Sequence, residues 1–161
     1  AVIPSFCTVL GHPGFWLGDP RTSVNATKLV HAAQEIKIEN SIPSSGTVTG
    51  KTQIKDVVDK GSAKGALLYL EKKLLDKISG NLLATERRTI MLRGDGGYDG
   101  PSGVIPSAPP GPSGSPLASF TIQTRPEQAL LYRLNGDPNP LHIDPDIAKA
   151  AGFEKPILHG L

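Results

Sequence analysis

Read for alternation of apolar and polar positions, the chain is mostly extended up to about residue 100. The stretch EIKIENSI, residues 35–42, alternates apolar and polar side chains, the two-residue period that puts one face of a strand toward a core. Residues 47–61, TVTGKTQIKDVVDKG, are rich in Thr and Val with glycines as punctuation, which predicts a second strand. ALLYLEKKLLDK, residues 66–77, has a helix-forming composition. Its position across a Ser79-Gly80-Asn81 turn from NLLATERRTIML instead predicts that the two segments are strands of one hairpin. A short helix is predicted around NATKLVHAA, residues 25–33, capped by Asn25.

The pattern breaks at residues 101–119, PSGVIPSAPPGPSGSPLAS, which carry too little apolar surface to offset the entropy of ordering the backbone and read as a linker. Beyond it the helical signals are clear. Thr124 and Glu127 have the spacing of a reciprocal cap, predicting a helix over 125–134 that ends at Asn135-Gly136. Asp144 as cap, Pro145 in the first turn and Gly152 as terminator predict a second helix. Three sections follow: 1–100, the linker 101–119, and 120–161.

A chain of 161 residues lies in the one-domain range and can bury roughly 68–70% of its unfolded surface. The formal net charge of +2 is spread along the chain, which leaves no footprint for a nucleic-acid backbone and predicts no DNA or RNA partner. Scattered lysines still suit a small polyanion such as a nucleotide phosphate. With Cys7 as the single cysteine no intramolecular disulfide can form, and a reducing compartment is expected. No apolar run reaches the ~18–20 residues of a membrane span, and the start AVIPSFCTVLGHPGFW lacks the pattern of a cleaved leader, so no membrane partner is expected.

Candidate chemistry concentrates in YRLNGDPNPLHIDPD, residues 132–146. Pro138 and Pro140 fix their own φ angles and bias Asp137 and Asn139 toward extended conformations. A stiff loop can hold a carboxylate, an amide and an imidazole on one point without an ordering cost at each turnover. Three readings of the residues remain open. Asp137 and Asn139 can be turn residues bonding nearby backbone, with His142 buried and satisfied. A calcium loop fits poorly, because Leu141 stands where an oxygen ligand is needed and His142 where the sharp turn wants Gly. His142 and His159 lack a paired spacing, so no metal site is expected. The third reading is acid–base chemistry by Asp137 and His142, with Asn139 orienting a water. GDGGYDG, residues 94–100, fails as a dinucleotide loop, since Asp99 stands where the third glycine belongs and no helix pattern follows.

YRLNGDPNPLHIDPDIAKAAGFEKPILHGL closely resembles the hydratase 2 motif of MaoC-like proteins, and the likeness continues upstream through KLVHAAQ, VVDKGSAKG and GDGGYDG. The resemblance implies an α+β hot-dog fold, part of a double hot dog, with an antiparallel sheet around a central helix. The section 1–100 would bind the acyl-CoA, and 120–161 would start the half that holds the chemistry. It implies reversible hydration of trans-2-enoyl-CoA to (3R)-3-hydroxyacyl-CoA in fatty-acid β-oxidation, with no cofactor beyond the CoA of the substrate, a homodimer and a peroxisomal location.

Carried onto matching positions, the resemblance makes Asp137 and His142 the acid–base pair, Asn139 a water ligand and the Gly160 N–H the donor to the thioester carbonyl. His31, Ala32, Lys60, Pro138, Pro140 and Leu141 would join Asp137, Asn139, His142 and Gly160 in touching the substrate. Relatives have Gly where Ala32 stands. In them the triplet matching His159-Gly160-Leu161 opens a long helix and further strands, so the chain is expected to be a fragment of a larger enzyme. An acyl-CoA-binding fragment without activity is the alternative function.

Overall fold

The computed structural model describes residues 2–103 and 110–160; the middle of the expected linker, 104–109, lies outside the described residues. Four long strands form one antiparallel sheet in the order β1-β4-β3-β2: β1 (Leu29–Ile38), β2 (Val48–Asp59), β3 (Ala66–Asp76) and β4 (Leu82–Leu92). The hairpin of β3 and β4 is the centre of the sheet, with Leu68 opposite Ile90 and Lys72 opposite Glu86. The helix-forming composition of residues 66–77 yields to pairing on both edges: Leu68, Leu70, Lys72 and Leu74 share one face and are all buried. At the turn Asp76 Oδ1 accepts the N–H groups of Ile78 and Ser79, and Gly80 adopts φ +75°.

The helix expected over 25–33 does not form. Only Ala26–Lys28 make a 3-10 turn, and β1 starts at Leu29. Leu29, Val30 and His31 pair with Leu92, Met91 and Ile90, so a long-range ladder overrides the local preference. Asn25 does not cap through its side chain; its N–H donates to Asp95 Oδ1 at 3.0 Å. The strand expected over 35–42 ends at Ile38, after which Glu39 and Asn40 both donate to the Leu83 carbonyl.

One sheet face carries two apolar clusters. Leu17, Leu29, Ala66, Leu68, Leu70, Ile90 and Leu92 form the first, and Cys7, Leu74, Leu83 and Ala84 the second. The 3-10 turns Pro4–Thr8 and Trp16–Gly18 pack here. Among the described residues the two α-helices have six residues each, so the long central helix of the expected hot dog is not among them.

The first helix, α1 (Gln128–Arg133), starts later than expected and the Thr124–Glu127 cap is not made. Arg125 N–H donates instead to Gln128 Oε1 at 3.2 Å, and the Arg125 carbonyl accepts from Gln128 N–H, so residues 125–127 close a turn rather than a helical one. The second helix, α2 (Pro145–Ala150), matches its signals: Asp144 Oδ1 accepts from Asp146 and Ile147 N–H. At its end Gly152 takes φ +90°, with Phe153 N–H on the Ala148 carbonyl and Gly152 N–H on the Lys149 carbonyl, the paired bonds of a left-handed helix stop. Leu141, Ala148 and Ala151 form a third buried cluster with Phe153 and Ile157 beside it. Arg93, just past β4, donates to the Ala151 carbonyl at 3.0 Å and ties this unit to the sheet.

Candidate active site

A cavity of about 290 Å³ opens between the sheet and the 132–160 segment, walled by apolar side chains that include Leu29, Leu70, Ile90 and Trp16. Asp137, Asn139, His142 and Gly160 reach it from one side and His31 from β1. The acid and the imidazole that the sequence placed on one loop therefore face a shared hollow.

The loop is fixed by its own polar groups. Asp137 Oδ1 accepts the Asn139 N–H at 3.1 Å, and Asn139 Oδ1 accepts the Leu141 N–H at 3.1 Å. Arg133 at the end of α1 donates to the Pro138 carbonyl at 2.7 Å. The turn reading and the acid–base reading are thus compatible: one carboxylate oxygen of Asp137 holds the turn and Oδ2 is left for the cavity. His142 is fixed likewise. Its Nδ1 lies 2.8 Å from the Ile157 carbonyl, which can only accept, so Nδ1 carries the proton and Nε2 offers a lone pair.

Sequence reasoning did not single out His159 as a site residue. Its side chain is 4% exposed, with Nε2 3.6 Å from Asp137 Oδ2. Its ring lies 3.7 Å from that of His142 at 25° and 4.1 Å from that of Tyr132 at 33°. Burial first, then the neighbouring His142 and Arg133, push His159 down to about 4 against the pull of Asp137, so at neutral pH it is an uncharged imidazole.

Asp137, His142 and His159 each offer an atom within 4.8 Å of the others, a donor set that in other settings holds a transition metal. Here the two histidine rings are stacked, 3.7 Å apart at 25°.

The cavity floor is charged. Glu86 of β4 is 2% exposed and pairs with Lys72 at 2.7 Å and Arg88 at 2.6 Å. Burial raises the Glu86 carboxyl, but the attraction of Arg88 and Lys72 outweighs it and leaves the group below its ordinary value, hence ionised. Arg88 Nη1 lies 3.0 Å from His12 Nε2. Nothing in the sequence pattern flagged His12, Lys72, Glu86 or Arg88, because they meet only when the sheet forms.

Other expected contacts are placed elsewhere. Ala32 is the extra residue in a bulge of β1 between His31 and Ala33 and does not line the cavity. Lys60 sits in the β2–β3 turn, its N–H on the Gly65 carbonyl, also outside the cavity lining. Pro138 and Pro140 shape the loop rather than line this hollow, whereas Leu141 does both, being 6% exposed in the third cluster and part of the wall. Gly160 lies on an irregular segment, not at a helix start within the described residues.

Residues 1–94 match the MFE-2 hydratase 2 N-terminal domain and residues 109–161 the MaoC like domain. The chain belongs to the MaoC-like hydratase 2 family. Among curated members it is 41% identical over 161 residues to 3-hydroxyacyl-thioester dehydratase Y of Mycobacterium tuberculosis, covering 99% of this chain and 55% of that protein. It is 40% identical over 171 residues to the peroxisomal enoyl-CoA hydratase 2 of Arabidopsis thaliana, covering 99% and 55%. Peroxisomal multifunctional enzyme type 2 of Drosophila melanogaster superposes with TM-score 0.74 at 38% identity, over 99% of this chain and 27% of that one.

A Mycobacterium tuberculosis protein with a double hotdog fold matches with TM-score 0.54 over 99% of this chain and 61% of that one. At 15% identity it shares the fold alone. This hydratase 2 chain spans about half the length of the curated relatives it matches, 55% for both.

Proposed function

We propose that the protein carrying this chain adds water reversibly to a trans-2-enoyl-CoA to give a (3R)-3-hydroxyacyl-CoA, a hydration step of fatty-acid β-oxidation. The observation that carries the reading is the convergence of Asp137 and His142 on one apolar-walled cavity. Relatives named for enoyl-CoA hydration and for 3-hydroxyacyl-thioester dehydration, the two directions of one reaction, support it.

A water between the Asp137 carboxyl and His142 Nε2 loses its proton as its oxygen bonds to the β-carbon. The electron pair of the C=C bond moves onto the α-carbon and thioester oxygen, and a proton from the acid–base pair then closes the α C–H bond. Asn139 turns the water through its free amide group. The Gly160 N–H donates to the thioester oxygen while it carries charge, where a pre-placed donor stabilises the transition state most. His31, at the cavity wall, contacts the acyl thioester. Ala32 and Lys60 contact the CoA portion outside the hollow.

The chemistry needs no cofactor beyond the CoA of the substrate, because water supplies every atom added. Supported by the peroxisomal relatives, the reading extends to a peroxisomal address, and it includes a homodimer.

The test is the ultraviolet absorbance of crotonyl-CoA mixed with the full-length protein, followed by chiral analysis of the product. Loss of the enoyl absorbance with (3R) product, unaffected by dialysis against a chelator, is expected. Binding of crotonyl-CoA without hydration would leave an acyl-CoA-binding protein, and (3S) product would overturn the stereochemistry. Sedimentation tests the dimer and a fluorescent fusion tests the address.

A further inference from the structure

The segment from Ile157 to Gly160 braces the acid–base pair from the side opposite the loop. The Ile157 carbonyl accepts a hydrogen bond from His142 Nδ1 at 2.8 Å, and Gly160 reaches the cavity. Between them stands His159, whose role follows from what surrounds it.

The stacked His142 ring and the tilted Tyr132 ring both lie about 4 Å from the His159 ring, too close for both to fit over one face, so they sandwich it. Such close aromatic contacts fix the orientation of the ring. The edge is different: both ring nitrogens are buried without a hydrogen-bond partner. Leaving polar atoms so is costly unless a partner is at hand, and the nearest charge is Asp137 Oδ2, 3.6 Å from Nε2. That separation is too long for a hydrogen bond and short enough for a small rotation to close. A neutral imidazole has one N–H and one lone pair, and a facing carboxylate selects the tautomer with the proton on Nε2.

We propose that His159 is a positioning residue for the hydration reaction: its Nε2–H donates a hydrogen bond to Asp137 while its ring face holds His142, so that one side chain sets the orientation of both members of the pair. The peptide bond following His159 also carries the Gly160 N–H, so the same clamp fixes the thioester donor relative to the pair. The groups that face His159 are Asp137, His142, Tyr132 and Arg133. Of these Asp137 favours and His142 and Arg133 disfavour a charge on it. Neutrality matters because a charged His159 would pair with Asp137 outright and turn its free oxygen from the water.

The proposal rests on the hydratase reading, and the test separates the two. In the full-length protein His159→Phe keeps a ring for the sandwich and lacks the donor, and His159→Gln keeps an N–H near Nε2 and lacks the ring. Expected for His159→Phe is a fall in kcat of about 10²-fold with KM nearly unchanged, the scale of a misaligned reacting group. His159→Gln, which keeps the donor to Asp137 but not the ring against His142, should lose less than His159→Phe yet stay below wild type. A packing role alone predicts the reverse order, and that order overturns the proposal.

Imidazole nitrogen NMR of the wild-type protein supplies a readout without turnover. His159 should hold its proton on Nε2 and stay neutral through the pH range in which ordinary histidines titrate. A proton on Nδ1, or an ordinary titration, overturns the proposal. If wild type does not hydrate crotonyl-CoA while the NMR result holds, the hydratase reading fails and the clamp geometry stands.

Discussion

Lys72 on β3 and Glu86 on β4 close a 2.7 Å ion pair with 4% and 2% of their side chains exposed. Lys72 Nζ also donates to the carbonyls of Cys7, Thr8 and Leu10 at 2.8, 2.9 and 3.0 Å, so one ammonium ties the N-terminal segment to the cavity floor. Removing Lys72 leaves the buried Glu86 carboxylate with Arg88 as its remaining cation, a partial loss of compensation that costs at most the ~3–5 kcal/mol of breaking a buried pair outright. Lys72→Met is therefore expected to lower the unfolding free energy by up to that amount in urea titrations. The double variant with Glu86→Gln should be less destabilised than Lys72→Met alone. Equal or greater loss in the double variant would contradict this account.

Asp137 and His142 face one cavity, and in the proposed hydration they act on one water, so their losses should not add. Asp137→Asn and His142→Asn are each expected to reduce kcat by roughly 10²–10⁴-fold, and the double variant by little more than the worse single one. Urea midpoints should stay close to wild type, because the Asn139 N–H bond to residue 137 can be kept by an amide oxygen. A double variant whose loss is the product of the two would mean that the groups act in independent steps.

The parts of the molecule legible in its sequence are those where local chemistry and tertiary context agree. The end of β1 carries the two-residue period, β2 its Thr and Val between glycines, β3 and β4 the turn at Ser79-Gly80-Asn81, and α2 is bounded by Asp144, Pro145 and Gly152, each acting within a few residues of itself. The segment around Asn25 was misread because its helical signals are local, whereas its partner, Leu92 to Ile90, is distant in the chain. The site divides the same way. Asp137, Asn139 and His142 lie on one proline-braced loop and could be found by spacing. The floor of Lys72, Glu86 and Arg88 comes from two strands, with His12 contributed by the N-terminal segment. His159 was in view within the same motif, but only the fold shows that its ring covers that of His142.

Gly50 of β2 lies where the backbone of Gly11 crosses the sheet, and a side chain there would meet the Gly11 carbonyl and Cα. Gly11 itself sits at φ +59°, so neither residue has an easy replacement. Gly50→Ala should push the 11–14 segment off the sheet, with His12 leaving Arg88, at a cost of about 1–3 kcal/mol. Gly111→Ala, where a Cβ meets nothing within 4 Å, serves as the control. Equal stability of the two variants would show that the crossing is looser than the contacts imply.

The glycine-rich stretch 94–100 has a physical organiser in Asp59. Its carboxylate accepts the N–H groups of Gly61 and Gly97 at 2.8 Å, Tyr98 at 2.9 Å and Gly100 at 3.4 Å. The Gly97 bond first, then that from Gly61, hold the carboxyl below its ordinary value despite some desolvation. A carboxyl lowered by folding contributes stability that is complete above its unfolded pKa and lost as pH falls through the folded one. Protection factors of the Gly97, Tyr98 and Gly100 amides, from hydrogen exchange corrected for intrinsic rates, should therefore be constant near neutrality and fall below the ordinary carboxylate range. Asp59→Ala should abolish that protection at every pH while leaving the amides of β3 and β4 protected. If the loop amides stay protected in Asp59→Ala, the loop is held by its own turns, and the carboxylate merely decorates it.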